Sequence, residues 1–309
     1  MERPDPLKGK RIKVIPPFIY FLFLFICLIS ALLLTYTNQK EGETSYLSPY
    51  LKEQEKVSSS QEELKEKESF EEQKEPPRVL RKNKAAIIID DMGYNLAALR
   101  KIISMKKPLT VSILPLSPYA RETALNAHEN DLEVMLHLPL ESVNSQEMNS
   151  TDGFILSEMS EEEAKRILEE NLSKVPYAMG VNNHMGSKIT TDAFHMHIIL
   201  ERIKERNLFF VDSLTTKKSI AFRLAQEMEI PSASREIFLD SVRDENYIEK
   251  KLLEFFQRAQ EKNNSIAICH PFDETLKVLE KNIHLAEKHN LELVHVSQIV
   301  LPQTTTSKE

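Results

Sequence analysis

Tryptophan is absent from the 309 residues, which weakens any reading in which indoles form a stacking platform for sugars. Cysteine is nearly absent as well. Cys27 lies in an apolar run and Cys269 lies far away beside His270, so the pair offers neither a disulfide framework nor a C-x-x-C metal spacing. Excess basic charge is missing too: the formal net charge is −7 and the pI about 5.8. Such a balance leaves no general electrostatic footprint for nucleic acid.

What is present begins with a basic flank, Arg3, Lys8, Lys10, Arg11 and Lys13, followed by an uncharged run from Val14 to Tyr36. That run is long enough to cross a hydrocarbon core of ~30 Å as a helix. Pro16 and Pro17 fall in its first turn, where proline is tolerated. No A-x-A-like cleavage site closes it, so residues 14–36 are expected to be an uncleaved signal anchor in the cytoplasmic membrane. Residues 1–13 then stay in the cytoplasm, and the rest of the chain lies outside, periplasmic or extracellular.

Residues 37–84 are rich in Glu, Lys, Gln and Ser. Their apolar positions, Leu51, Val57, Leu64 and Phe70, are too sparse for a coiled-coil seam, which points to a polar linker. Residues 302–309 read as a flexible tail. Between them, residues 85–301 alternate short apolar runs with longer amphipathic ones. Strands are expected at 85–89, 109–114, 132–138, 178–182, 208–211, 265–269 and 291–296, with a weaker one at 231–234. Helices are expected at 96–105, 119–130, 160–172, 191–206, 219–229, 245–262 and 274–290. Asn95 is placed to cap the first helix, and Ser160-Glu161-Glu162-Glu163 is a capping box. Strict alternation predicts a mostly parallel sheet with helical crossovers: a distorted seven- or eight-stranded (β/α) barrel, or else a doubly wound open sheet.

The chemistry gathers at the expected strand ends. The first strand runs Ile87-Ile88-Ile89 into Asp90-Asp91-Met92-Gly93. Adjacent carboxylates at the end of a buried strand repel each other and persist most easily when a cation or a proton holds them. The dipeptide alone is equally consistent with Asp90 as a cap and Asp91 as a solvated charge. Strand three ends His137-Leu138-Pro139-Leu140-Glu141, strand four Asn182-Asn183-His184-Met185-Gly186-Ser187, strand five Asp212-Ser213-Leu214, and strand seven Cys269-His270-Pro271. Arg235 and Asp240 follow the weak strand. Three of nine histidines at one sheet edge, beside Asp90, Asp91 and Asp212, favour a site. His128, His195, His197, His284 and His289 read as structural or solvated, and His295 is a reserve candidate.

Taken in order, Asp90-Asp91-Met92-Gly93, His137-Leu138-Pro139-Leu140-Glu141, Asn183-His184-Met185-Gly186-Ser187, Val211-Asp212-Ser213, Arg235 with Phe238-Leu239-Asp240, and Cys269-His270-Pro271 resemble the divergent polysaccharide deacetylases. These are distant relatives of the NodB-type carbohydrate esterases. The resemblance spans roughly residues 84–300. It implies a distorted (β/α) barrel, a divalent metal (zinc is the expected ion) at the carboxyl ends of the strands, and hydrolysis of an N- or O-acetyl group on a polysaccharide or peptidoglycan-like glycan. It also implies Asp90 as the base, Asp91 as a metal ligand and His270 as the general acid. The NodB-type H-x-x-x-H spacing occurs nowhere in this chain. Where it would stand, His137 is followed by Glu141, so the second metal histidine must come from elsewhere, and His184 is the best choice.

The remaining assignments follow that chemistry. Ends of the first, third and fourth strands converge on one face of a parallel barrel, so Asp91, His137 and His184 are expected to share the ion, with Glu141 or His270 next in line. Arg235 can pair with Asp90; the alternative is a pair with Glu236 or Asp240. Asp212 can orient His270 or a ligand histidine; the alternative is a cap for the turn Asp212-Ser213-Leu214. Glu141, Asn183, Ser187 and Asp240 are expected to line the cleft. A non-catalytic envelope protein using the same cleft to bind a glycan or a partner is the second reading. A glycosidase pairing Asp90 with Asp212 is weaker, since it leaves the histidines unexplained.

Overall fold

Alternation along the first strand sets the architecture. In β1 (Asn83–Met92) the residues Ala85, Ile87 and Ile89 belong to one apolar cluster, and Ala86 and Ile88 to another. A period of two sends them to opposite faces of the sheet. The larger cluster packs between sheet and helices. The smaller one, with Met135, Phe209, Val211, Ile266 and Ile268, fills the interior of a curled sheet. A strand buried on both faces reads as a continuous apolar run, as this one does. Each fully buried Ile or Phe contributes about 1.5–3 kcal/mol of transfer free energy.

The computed structural model describes residues 82–144, 152–262 and 264–300. The expected basic segment 1–13, membrane span 14–36, nearly all of the linker 37–84 and the tail 302–309 lie outside these residues. Among the described residues no helix is long and apolar enough to cross a membrane. Because β1 starts at Asn83, the ordered strand begins two positions before the expected boundary at 85.

After β1 come α1 (Leu96–Ser104), β2 (Thr110–Ile113), α2 (Ala120–Glu129), β3 (Glu133–Leu140), α3 (Glu161–Lys174), β4 (Gly180–Met185), α4 (Ala193–Glu205), β5 (Phe209–Asp212), α5 (Ala221–Glu227), β6 (Ser232–Ser234), β7 (Ile237–Phe238), α6 (Glu245–Lys262), β8 (Asn264–Cys269), α7 (Asp273–Asn282), α8 (Leu285–Lys288), β9 (Leu291–Leu293) and α9 (Ser297–Val300). Asn95 Oδ1 accepts from the Ala97 and Ala98 amides at the start of α1. At α3 the expected capping box is present, with Ser160 and Glu163 bonded reciprocally. The single helix expected over 274–290 is broken into α7 and α8. Near Ile283 the bonding tightens, Ala286 N–H donating to Ile283 O and Glu287 N–H to His284 O, a three-residue spacing that ends an α-helix.

All the pairings are parallel, in the order β6-β5-β4-β3-β2-β1-β8-β7, with β9 added beside the start of β1. A doubly wound sheet reverses its strand order part-way across. Here the order runs round without reversal, which makes the fold β/α-barrel-like. The two ends of the order, β6 and β7, are consecutive in sequence. Arg235 N–H donates to Asp212 O of β5, and Glu236 N–H to Ile266 O of β8. One extended stretch therefore leaves β5 and joins β8, which brings the sheet round on itself.

Backbone strain is distributed unevenly. Nine described non-glycine residues have positive φ. Six of them, Lys106, Asp131, Tyr177, Asn207, Glu229 and Asn290, follow helix ends, where the left-handed conformation closes the last turn. The other three, Asp91, Met185 and Leu214, lie at the carboxyl ends of β1, β4 and β5. Strain kept in such positions is a pointer to function.

Candidate metal centre

The interior rows of the barrel change character at the carboxyl ends of the strands. On β1 the row runs Ala86, Ile88, Asp90. On β3 it runs Met135 to His137, on β4 Asn182 to His184, at β5 Val211 to Ser213, and at β8 Ile268 to His270. On β1, β3, β5 and β8 the polar residue is the next inward position after an apolar one, and on β4 both Asn182 and His184 are polar. Asp91 would face outward by the same count. A register shift between Ile89 and Met92, together with its φ of +53°, re-aims it inward. Gly93, at φ +112°, completes the turn where a Cβ would collide with Ser117.

The structure brings Asp91, His137 and His184 together. Asp91 Oδ1 lies 3.3 Å from His137 Nε2 and 3.2 Å from His184 Nδ1, and the two imidazole nitrogens are 3.2 Å apart. These atoms can hold one metal ion between them. Tetrahedral bonds of about 2.0–2.1 Å place neighbouring ligand atoms about 3.3–3.4 Å apart, so the triangle fits a divalent ion. Asp91 Oδ1 is buried and has no hydrogen bond of proper geometry, although both imidazoles face it. A buried carboxylate oxygen without a hydrogen bond, facing two imidazole nitrogens, fits a cation site.

Two further groups flank the triangle. Asp90 is buried; its Oδ1 accepts from Asn182 Nδ2 at 2.9 Å, and its Oδ2 stands 3.6 Å from His137 Nε2. Burial raises its pKa above the usual carboxylate range, against the opposing pull of His137 and the Asn182 bond. Burial also works against charge on Asp91 and His137. There the mutual contacts win: Asp91 is held well below the usual range by His137 and His184, and His137 is pushed up to about 9 by Asp90 and Asp91. On the other side, His270 Nδ1 donates to Asp240 Oδ1 at 3.0 Å, leaving Nε2 toward the cleft, 3.9 Å from Asp91 Oδ2. Asp240 Oδ2 is held by the His270 amide and the Thr275 hydroxyl. The His270 ring stacks with Phe238 and Phe272; Arg235 lies over the first and Arg243 over the second. Desolvation opposes charge on His270, but the Asp240 bond together with the charges of Asp240, Asp90 and Asp91 outweighs it and raises the pKa.

The imidazolium of His270 therefore persists to higher pH than a free imidazole, and any step needing its proton is lost only above that raised pKa. Asp240→Asn withdraws the carboxylate. In an NMR titration the His270 imidazolium of this variant is expected to lose its proton at lower pH than in the wild type. An unmoved titration would show that Asp240 does not hold the His270 proton.

A cleft of about 270 Å³ opens over these groups, lined also by Ser142, Asn183, Met185, Ser187, Ser213 and Thr215. Asn183 is tied down, its side chain donating to Met185 O and accepting from the Ser213 amide. Glu141 does not line the cleft. Its carboxylate accepts from Lys188 Nζ and the Ser157 amide, pinning the loop after β3.

Two expected roles are corrected. Asp212 is the outward neighbour of Val211 and Ser213, so its carboxylate turns to the Leu214 amide, Ser219 Oγ and the Phe222 amide. It caps the turn and α5, and Asp240 is the residue that orients His270. The same outward direction removes the Asp90–Asp212 glycosidase pair. Arg235 makes no ion pair with Asp90. Its guanidinium donates to Ser213 O and Leu214 O and covers Phe238. Glu236 pairs instead with Arg258 and Lys262. The other histidines have other partners: His195 bonds Asp192 and Met159 O, His128 stacks on Tyr177, and His295 reaches Asp131 O at the amino end of the sheet.

Asn182 was not singled out from the sequence. It is fully buried and bonds Ser112, His137, Asp90 and Ser213. The available signal was a polar residue placed inside a strand, two positions before a histidine.

The chain is 35% identical over 225 residues to the uncharacterized protein YibQ of Escherichia coli (strain K12), spanning 72% of this chain and 70% of that protein. It is 32% identical over 201 residues to an uncharacterized protein of Haemophilus influenzae, spanning 65% and 71%. In fold it is similar to the crystal structure of an uncharacterized Agrobacterium tumefaciens C58 protein, with a TM-score of 0.68 at 22% identity over 73% of this chain and 92% of that one. Residues 87–300 match the sequence profile of the divergent polysaccharide deacetylases, and the chain belongs to that family.

Proposed function

We propose that the protein is a membrane-anchored, extracytoplasmic, metal-dependent hydrolase that removes acetyl groups from a cell-envelope polysaccharide, with zinc as the metal. One observation carries this reading: the Asp91–His137–His184 triangle, 3.2–3.3 Å on each side, shares its cleft with a buried carboxylate and a carboxylate-backed imidazole. Membership of the family supports an acetylated glycan as substrate. The uncharged run 14–36 behind a basic flank supports the anchor, with 37–84 as linker and 85–301 as the catalytic domain.

A bound divalent ion supplies Lewis-acid polarisation of the acyl carbonyl and acidifies water in the cleft. Asp90 would accept a proton from the attacking water through Oδ2, since Oδ1 is engaged by Asn182. Asp240 holds the Nδ1–H of His270, so its Nε2 faces the cleft and protonates the departing amine or alkoxide. Ser142, Asn183 and Ser187 line the wall along which a sugar would lie.

The test uses the full-length chain, solubilised in detergent and purified without chelator. It is expected to carry about one zinc per chain and to release acetate from acetylated envelope glycan, while a reporter fused after Glu309 is active only outside the cytoplasm. Zinc without acetate release would replace this reading with glycan binding. A reporter active inside the cell would overturn the localisation.

A further inference from the structure

Resting on that metal reading, we infer that Asn182 is the positioning residue of the centre: its amide fixes which nitrogen of His137 faces the ion and which oxygen of Asp90 faces the water. A carboxamide has one acceptor oxygen and one nitrogen with two protons. At Asn182 both ends are saturated. The oxygen accepts from Ser112 Oγ at 2.5 Å and from His137 Nδ1 at 2.9 Å. The nitrogen donates to Asp90 Oδ1 at 2.9 Å and to Ser213 Oγ at 3.2 Å.

The direction of the amide is set by its neighbours. An ionised carboxylate only accepts, so the nitrogen must face Asp90. The oxygen must then face His137, which has to present N–H at Nδ1. In the neutral ring that a metal requires, this leaves the lone pair on Nε2, the atom aimed at Asp91 and His184. The same bond occupies Asp90 Oδ1 and leaves Oδ2 open. One side chain thereby sorts the ligand histidine and the base together. The sheet provides the contact: His137 and Asn182 are register partners on β3 and β4, so both point into the barrel. Arg235, the other candidate for holding Asp90, is committed to Ser213 O and Leu214 O.

Two substitutions separate this role from simple packing. Asn182→Leu removes both ends of the amide. Asn182→Asp keeps an acceptor for His137 but sets a second carboxylate against Asp90. Zinc affinity of the full-length chain is measured by chelator competition, and the visible absorption of the cobalt(II) form reports ligand geometry. Loss of an outer partner of a metal histidine weakens binding by roughly 10–100-fold. Asn182→Leu is expected to fall in that range with an altered cobalt band, and Asn182→Asp to stay within about threefold of wild type on the same scale while losing acetate release. The difference between the variants is the readout that a packing role would not produce.

Leu binding zinc within threefold of wild type, or both variants losing zinc in parallel with their melting temperatures, would overturn the proposal. These titrations need no substrate. A wild-type chain that binds zinc but hydrolyses nothing removes the hydrolase reading and leaves the Asn182 result standing. A wild-type chain that binds no zinc overturns both.

Discussion

Full-length protein carrying His184→Ala is expected to lose more than about 100-fold in zinc affinity, since loss of an outer partner alone costs 10–100-fold and His184 is placed as a direct ligand. Its Nδ1 closes the triangle with Asp91 Oδ1 and His137 Nε2, each 3.2 Å away. His184 is the better choice for truncation than His137. The His137 side chain is 3% exposed and holds Asn182, so removing it leaves a buried acceptor unpaired as well as a missing ligand. His184 is 20% exposed on the cleft wall, with edge contacts to His137 and Phe154. Its loss is expected to change stability by no more than about 1 kcal/mol. Chelator competition and a urea melt on the same preparation check both halves. Wild-type zinc affinity in this variant would break the triangle, and His270, 3.9 Å from Asp91, would become the next ligand to test.

Asp90→Asn is expected to leave zinc bound and to reduce acetate release by roughly 10²–10⁴-fold, the range for loss of a general base. The substitution preserves shape. An amide oxygen at position 90 can still accept from Asn182 Nδ2, so the buried network stays satisfied. What it cannot do is take a proton from water. Zinc content and kcat measured together make the result decisive. Residual activity within tenfold of wild type would move the base to another residue. Joint loss of zinc and activity would make Asp90 a ligand.

Much of the fold was legible because it rests on periodicity. Runs such as Ile87-Ile88-Ile89 announce strands buried on both faces, amphipathic stretches announce the crossovers, and their alternation leaves few topologies. Ser160 with Glu163 and Asn95 before Leu96 gave helix starts by local bonds. The break near Ile283 was not legible, since no proline or glycine marks it. Asp91, His137 and His184 could be grouped because parallel strands bring their carboxyl ends to one side, whatever the details of twist.

The sequence by itself determined the strand–helix alternation, the polar edge of the sheet and the residue types gathered there. Tertiary structure alone decided which neighbour of each adjacent pair points into the barrel. Asn182 points inward to Asp90 and His137 while Asn183 turns to Met185 and Ser213. Val211 and Ser213 point inward while Asp212 caps α5. A one-residue change of register exchanges the two faces, and registers are fixed only when β3, β4 and β5 have paired. The bulge that turns Asp91 against its own parity, and the meeting of Asp240 with His270 across 30 residues, are of the same kind. They depend on where backbones far apart in the chain come to rest, and no local pattern encodes that.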